Sequence, residues 1–110
     1  MGGDLTGWSH KGYMPRIAER YNKDPAKMPF DFTEVISAVA PRGVFISAPV
    51  NDSNFEISGV KDCIEAARPV YDLHDRPDQL EALHPDCGHD FPQSARQAAY
   101  RYIDRMLLRE

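Results

Sequence analysis

The fold is decided by residues 43–49, which read Gly-Val-Phe-Ile-Ser-Ala-Pro. This run is short and apolar, it contains two β-branched residues and a Phe, and it is bounded by Gly and Pro. Such runs are typical of a strand that is buried on both faces, and strands of that kind occur in parallel sheets covered by helices on each side. We therefore predict a parallel strand over about residues 43–49 and an α/β fold.

The residues after this strand predict a helix, a second strand and a closing helix. Ser58 can cap the helix that follows the strand, and Pro69 should kink or interrupt this helix. A second parallel strand is predicted over about residues 79–84, and a long helix from Pro92. Two parallel strands need a crossover of about a dozen residues or more, so the order indicates a right-handed βαβ unit followed by a helix. The predicted inward stripe of the crossover helix is Val60, Ile64, Ala67 and Tyr71.

The residues before the strand predict helices only. A short helix is expected at 14–21, and Asp31 and Glu34 have the capping-box spacing of a second helix that must end before Pro41. We expect a single partial domain over 1–110, with 1–28 as an irregular and helical lead-in to 29–110. Two strands do not make a stable parallel sheet, so this C-terminal βαβα portion should belong to a larger α/β domain, and its open edge should drive homo-oligomerisation.

The charge composition argues against two classes of binding partner. The 110 residues carry 13 Lys plus Arg against 17 Asp plus Glu, a net charge of −4. Because the basic residues form no run, we expect neither nucleic acid nor an anionic membrane as a partner. No stretch approaches the roughly 18 apolar residues of a membrane span, and the start lacks a signal-peptide pattern. The two cysteines lack Cys-x-x-Cys spacing, which favours a reducing, cytoplasmic location.

Two side chains that can carry chemistry follow the two predicted strands. Asp52 comes after the first strand and His89 after the second. Because the carboxyl ends of adjacent parallel strands share one edge of the sheet, we expect the two side chains to meet and form a hydrogen bond. Such a carboxylate would fix the imidazole tautomer for general-base catalysis. The plainer alternatives are that Asp52 is a turn residue and that His89 is an incidental loop histidine.

The C-terminal part of the chain resembles the end of an α/β-hydrolase, in particular the dienelactone hydrolase, acetyl xylan esterase and prolyl-oligopeptidase-like branches. Asp52-Ser53-Asn54-Phe55 resembles their acid loop, Gly88-His89-Asp90-Phe91 their histidine loop, and Ala40-Pro41-Arg42 the lead-in to the acid strand. The resemblance covers about residues 29–110. It implies that Asp52 is the acid and His89 the base of a serine-hydrolase triad, that the complete protein hydrolyses a small-molecule ester in preference to a peptide, and that no cofactor takes part.

The nucleophile of such a triad is missing from the sequence. In this fold the serine lies in a Gly-x-Ser-x-Gly elbow ahead of the acid and the base. The nearest string runs from Gly7 to Gly12 around Ser9, but it has one residue too many and no apolar strand before it. We therefore expect this chain alone to be inactive. An in-frame elbow encoded upstream of Met1 would favour a hydrolase fragment, and its absence a non-catalytic module that binds a partner or a second copy.

Two other sites can be weighed from the sequence. Five potential zinc ligands crowd into residues 84–90, namely His84, Asp86, Cys87, His89 and Asp90. Their spacing matches no common ligand pattern, so we expect no metal and interpret Cys87 as a buried structural thiol.

Four aromatic residues could line a substrate pocket but are more typical of a core. They are Trp8, Tyr13, Phe30 and Phe55.

Overall fold

The computed structural model describes residues 5–108, so residues 1–4 of the predicted lead-in and residues 109–110 lie outside the described residues. The contacts divide the chain into two compact units, Met1–Asp31 and Phe32–Glu110. This boundary lies three residues beyond the one predicted between 28 and 29.

The first unit contains one α-helix, α1, over Pro15–Tyr21. Short 3-10 helices at Thr6–Trp8 and Pro25–Lys27 flank it. The main chain of Leu5 donates to the carbonyl of Lys23 across 3.2 Å, which closes the unit. The helix predicted at 14–21 is thus present, and it begins at Pro15 because the fixed φ of proline suits the first helical position.

The second unit has the predicted order of helices and strands. Helix α2 spans Phe32–Val39, strand β1 Val44–Ser47, helix α3 Ile57–Leu73, strand β2 Leu80–Leu83 and helix α4 Gln93–Leu107. The two strands pair in parallel, with Val44 opposite Leu80 and Ser47 opposite Leu83. The chain therefore has a mixed α/β fold, and both predicted strands are confirmed, although each is shorter than expected.

Helices cover the two faces of this small sheet. On one face, Val44 and Ile46 pack with Leu80 against Ile64, Ala67 and Tyr71 of α3, and Ile36 of α2 joins this core. On the other face, the ring of Phe45 lies 5.5 Å from that of Tyr102 in α4. The inward stripe predicted for the crossover helix is confirmed, with Val60 at its partly buried end. The result is a three-layer arrangement in which both strands end at the same edge.

Two buried tyrosines anchor the starts of the strands. The hydroxyl of Tyr71 donates to the carbonyl of Arg42 across 2.8 Å, directly ahead of β1. The hydroxyl of Tyr102 donates to the carbonyl of Gln79 across 2.6 Å, directly ahead of β2. Each bond supplies a partner to a main-chain oxygen that would otherwise be desolvated, so the tyrosines tie the helices to the strands.

Two expectations about the second unit were wrong, and a third, for Pro69, was wrong as to an interruption of the helix. Glu56, and not Ser58, caps α3, because its carboxylate accepts the main-chain N–H of Ser58. Pro69 does not interrupt α3: it lies on the exposed side of the helix, where water can bind the carbonyl that loses its partner. Strand β1 is half-buried instead of buried on both faces, because among residues 5–108 only one strand, β2, lies beside it.

Several apolar residues remain exposed on the helices. Phe32 and Val35 of α2 have the apolar spacing that predicts one core-facing stripe with Ile36, but about one half of each is exposed. Ile103 of α4 belongs to the apolar pattern that predicts the inward face of that helix, but it is 47% exposed. Within residues 5–108, no helix is long and apolar enough to cross a membrane.

Candidate active site

Main-chain hydrogen bonds extend the pairing of β1 and β2 beyond the strands and hold the two following loops side by side. Ala48 donates to Leu83 across 2.9 Å, Val50 to Pro85 across 3.0 Å, and Asn51 to the carbonyl of Cys87 across 3.1 Å. The loops that carry Asp52 and His89 therefore leave the sheet at the same edge.

His84 completes this pairing at the one position where the main chain cannot. In a parallel ladder the carbonyl of Ala48 would accept the N–H of residue 85, but that residue is proline and has none. Nδ1 of His84 lies 2.9 Å from this carbonyl and donates to it. His84 is thus a structural residue, and its signal in the sequence is the proline that follows it.

The Asp52 carboxylate is oriented by its own loop. Oδ1 accepts the main-chain N–H groups of Asn54 at 2.7 Å and Phe55 at 3.3 Å, the pattern of an Asx turn. The side chain is only 6% exposed. The pKa of Asp52 is lowered, first by the hydrogen bond from His89 and then by these two amides, while burial acts in the opposite direction. Asp52 is therefore ionised at neutral pH and presents Oδ2 to the second loop.

His89 meets this carboxylate directly. Its Nδ1 lies 2.9 Å from Oδ2 and 3.2 Å from Oδ1 of Asp52, which confirms the predicted hydrogen bond. An ionised carboxylate only accepts, so in the neutral ring Nδ1 carries the proton and Nε2 keeps its lone pair. The side chain of His89 is 55% exposed. The ring of Phe55 lies 5.9 Å from the imidazole, centroid to centroid, in a tilted contact. This arrangement can take up a proton at Nε2.

Ser9 does not provide a nucleophile in this structure. It lies in the first unit and is fully buried. Its hydroxyl donates to the carbonyl of Met14 at 2.9 Å and accepts the N–H of Ala18 at 3.1 Å. A 3-10 helix precedes Ser9, whereas a nucleophile elbow follows a strand. Ser9 therefore joins the loop to α1 and has no exposed hydroxyl to offer to an ester.

The five potential metal ligands in residues 84–90 do not converge. Within residues 5–108, no group of three His, Cys, Asp or Glu side chains is placed to hold a metal ion. Asp86 accepts the side-chain amide of Asn51 at 2.9 Å, and Asp90 accepts the N–H of Phe91 at 2.7 Å. Burial raises the pKa of the Cys87 thiol, and the charges of Asp90, Asp86 and Asp52 raise it further. At neutral pH Cys87 is therefore in the thiol form, which is a poor nucleophile.

Of the four aromatic residues considered for a pocket, the structure places Phe55 against His89. Trp8, Tyr13 and Phe30 belong to the first unit. The amides of Asn54 and Phe55 were not predicted as partners of Asp52, although the Asp-Ser-Asn string that forms an Asx turn is visible in the sequence.

No protein-family model, curated protein or solved structure matches the chain.

Proposed function

We propose that this chain is the acid-and-base segment of a serine hydrolase that transfers an acyl group from a small-molecule ester to water. Asp52 is the acid and His89 the general base, and the nucleophilic serine is supplied by a segment outside these 110 residues. The resemblance of the two loops to those of α/β-hydrolases supports this proposal. The observation that carries it is the bond between a buried carboxylate and the Nδ1 of a half-exposed imidazole.

The geometry suits both halves of such a reaction. With Nδ1 protonated, Nε2 takes the proton of the serine hydroxyl while its oxygen attacks the ester carbonyl, and Asp52 stabilises the imidazolium that forms. His89 then returns the proton to the departing alkoxide, which leaves an acyl-enzyme. A water molecule repeats the sequence, its proton passing to Nε2 and then back to the serine oxygen. The chain's own contribution is to hold one tautomer and one ring orientation.

The first experiment tests whether Asp52 sets the tautomer of His89. Two-bond 1H–15N spectra of uniformly labelled protein at pH 8 should show a protonated Nδ1 and an unprotonated Nε2 for His89. In Asp52→Ala the carboxylate is gone, and we expect the ring to shift toward the Nε2-protonated form. The matched control is Ser53→Ala, next to Asp52 in the same exposed turn, which should leave the pattern unchanged. An Nε2-protonated His89 in the unmodified chain would contradict the proposed base.

The second experiment tests the hydrolase itself. The 110-residue chain should hydrolyse an activated aryl acetate slowly and without saturation, at a rate that falls in His89→Ala but not in Ser9→Ala, and a fluorophosphonate probe should not label it. A polypeptide extended by the contiguous upstream reading frame should be labelled at a serine of that extension, and His89→Ala should abolish its turnover. An extension with no reactive serine would refute the proposed function.

A second candidate is a non-catalytic module that self-associates or binds a partner. The observation that favours it is strand β1, which has β2 on one side and no strand on the other among residues 5–108. Sheet edges of this kind are where strand addition takes place. Turnover by the extended polypeptide would argue against this candidate as the chain's main role, whereas association with no reactive serine would favour it.

A further inference from the structure

The open edge of β1 presents an unpaired set of main-chain groups. Strand β1 pairs with β2 through the main-chain N–H and C=O groups of every second residue. The N–H of Ala48 donates to the carbonyl of Leu83, and Ser47 lies opposite Leu83 in the ladder. In a parallel ladder this parity directs Val44, Ile46 and Ala48 toward β2. The N–H and C=O groups of Phe45 and Ser47 therefore point away from the sheet. The side-chain hydroxyl of Ser47 is also buried and has no partner among residues 5–108.

The two edges of the sheet differ in protection. At the outer edge of β2, the guanidinium of Arg68 donates to the carbonyls of Leu80, at 2.8 Å, and Pro77, at 3.1 Å. A cationic side chain over an edge is a common guard against strand addition. Strand β1 has no charged side chain of its own to protect its outer edge, since residues 43–50 contain none.

An apolar flank lies beside the unprotected edge. In α4, Arg105 reaches across 2.6 Å to Glu81 on β2, so that flank of the helix faces β2. Helical geometry places Ile103 on the opposite flank, about 100° around the helix from the sheet-facing Tyr102, and turns Leu107 and Tyr100 further toward solvent. Ile103 is 47% exposed. An exposed apolar side chain on the flank away from β2 adds to a contact surface.

We propose that two copies of this chain pair through β1 about a two-fold axis, in antiparallel orientation with Ile46 on the axis. In this register Phe45 faces Ser47 of the second copy, and each such pair exchanges two hydrogen bonds that use the outward groups of both residues. The largest side chain of the strand then lies opposite a small one, and Val44 lies opposite Ala48. The strand carries no charge, so this alignment causes no repulsion.

A second copy is the occupant that these features fit. An isologous contact needs a patch that is complementary to itself, and the Phe45 and Ser47 positions satisfy this in both hydrogen bonding and size. The pairing joins the sheets into four strands, β2-β1-β1-β2, whose outer edges are both guarded by Arg68. It also places the α4 helices of both copies on the same face, with their Ile103 flanks toward each other. This inference does not rest on the catalytic roles of Asp52 and His89, and it concerns the 110 residues by themselves, because a further strand of a larger α/β domain would compete for the same edge of β1.

Analytical ultracentrifugation across a range of concentrations tests the proposal. The unmodified chain should sediment as a reversible dimer. Ser47→Pro removes an outward N–H that the monomer does not use, and it should leave a monomer with an unchanged circular dichroism spectrum. The matched control is Ala82→Pro, which removes an outward N–H from the edge of β2 and should remain dimeric. A monomer at every concentration, or a dimer that survives Ser47→Pro and is lost in Ala82→Pro, would overturn the proposal.

Cross-linking tests the register without relying on a proline substitution. In a chain with Cys63 and Cys87 replaced by serine, Ile46→Cys places two thiols across the axis at a non-hydrogen-bonded pair, where the Cα atoms are about 4.5 Å apart and a disulfide is favoured. Mild oxidation should link most of this variant into covalent dimers. The matched control, Val44→Cys, lies opposite Ala48 and should give few. Equal linking of both variants, or linking of neither, would refute the register.

Discussion

Gly43 should be the glycine least able to accept a side chain, because α4 packs directly against it. A Cβ built at Gly43 collides with the hydroxyl of Tyr102 and lies 3.2 Å from both Cζ of that ring and Oε1 of Gln79. Tyr102 cannot simply move away: it is 6% exposed, stacks near Phe45 and donates to the carbonyl of Gln79. Gly43→Ala should therefore displace either the start of β1 or the ring.

The size of the expected destabilisation follows from the contacts that Gly43→Ala would disrupt. Overpacking a filled core costs about 1 to 3 kcal/mol, and a lost hydrogen bond costs about 1 kcal/mol. We expect Gly43→Ala to lower the free energy of unfolding by about 2 to 3 kcal/mol. Tyr102→Phe alone should cost about 1 to 2 kcal/mol through the bond to Gln79. In the Tyr102→Phe background the hydroxyl is absent, so Gly43→Ala should cost only about 1 kcal/mol there.

The assay is a double-mutant cycle measured by native-state hydrogen exchange of the β1 and α3 amides, which reports on the second unit alone. All samples are kept at one low protein concentration. Gly59→Ala is the matched control, because a Cβ at that helical position meets nothing within 4 Å, and it should be neutral or stabilising. Equal costs of Gly43→Ala in both backgrounds, within about 0.5 kcal/mol, would refute the reasoning.

Three further outcomes are expected. Ser9→Ala should destabilise the first unit by about 1 to 2 kcal/mol, seen as faster exchange of the Ala18 amide, because the buried hydroxyl both donates and accepts there. The pKa of Asp52 is lowered below its ordinary 3.8, so the contribution of its carboxylate to the stability of the fold is complete above that pH and is lost as the pH falls through the folded value. The difference in unfolding free energy between the unmodified chain and Asp52→Asn should therefore shrink below pH 3.8, and a constant difference would contradict this. Because the pKa of the Cys87 thiol is raised, its alkylation by iodoacetamide at pH 7.5 should be slower than that of an unstructured cysteine peptide, and rapid labelling would contradict the structural role of this thiol.

The sequence predicted the contact between Asp52 and His89 but not its detailed geometry. The placement of Asp52 and His89 after two parallel strands was enough to predict that they meet, because parallel strands end at one edge whatever surrounds them. Which oxygen of Asp52 faces His89 was not predicted. That choice depends on the Asn54 and Phe55 amides, whose direction is set by the path of the folded loop.

The sequence by itself determined the order α2-β1-α3-β2-α4 and the inward face of α3, since apolar spacing and Gly and Pro positions are properties of the chain alone. The tertiary structure decided what depends on neighbours. Strand β1 reads as fully buried but is half-buried, because burial depends on how many strands adjoin it. The sequence predicts Ser58 as the cap of α3, but the helix begins at Ile57 and the carboxylate of Glu56 caps it by accepting the N–H of Ser58. The Gly-rich stretch around Ser9 has no apolar pattern that predicts burial, but packing buries this hydroxyl against α1, because a side chain's accessibility is set by the residues that fold over it.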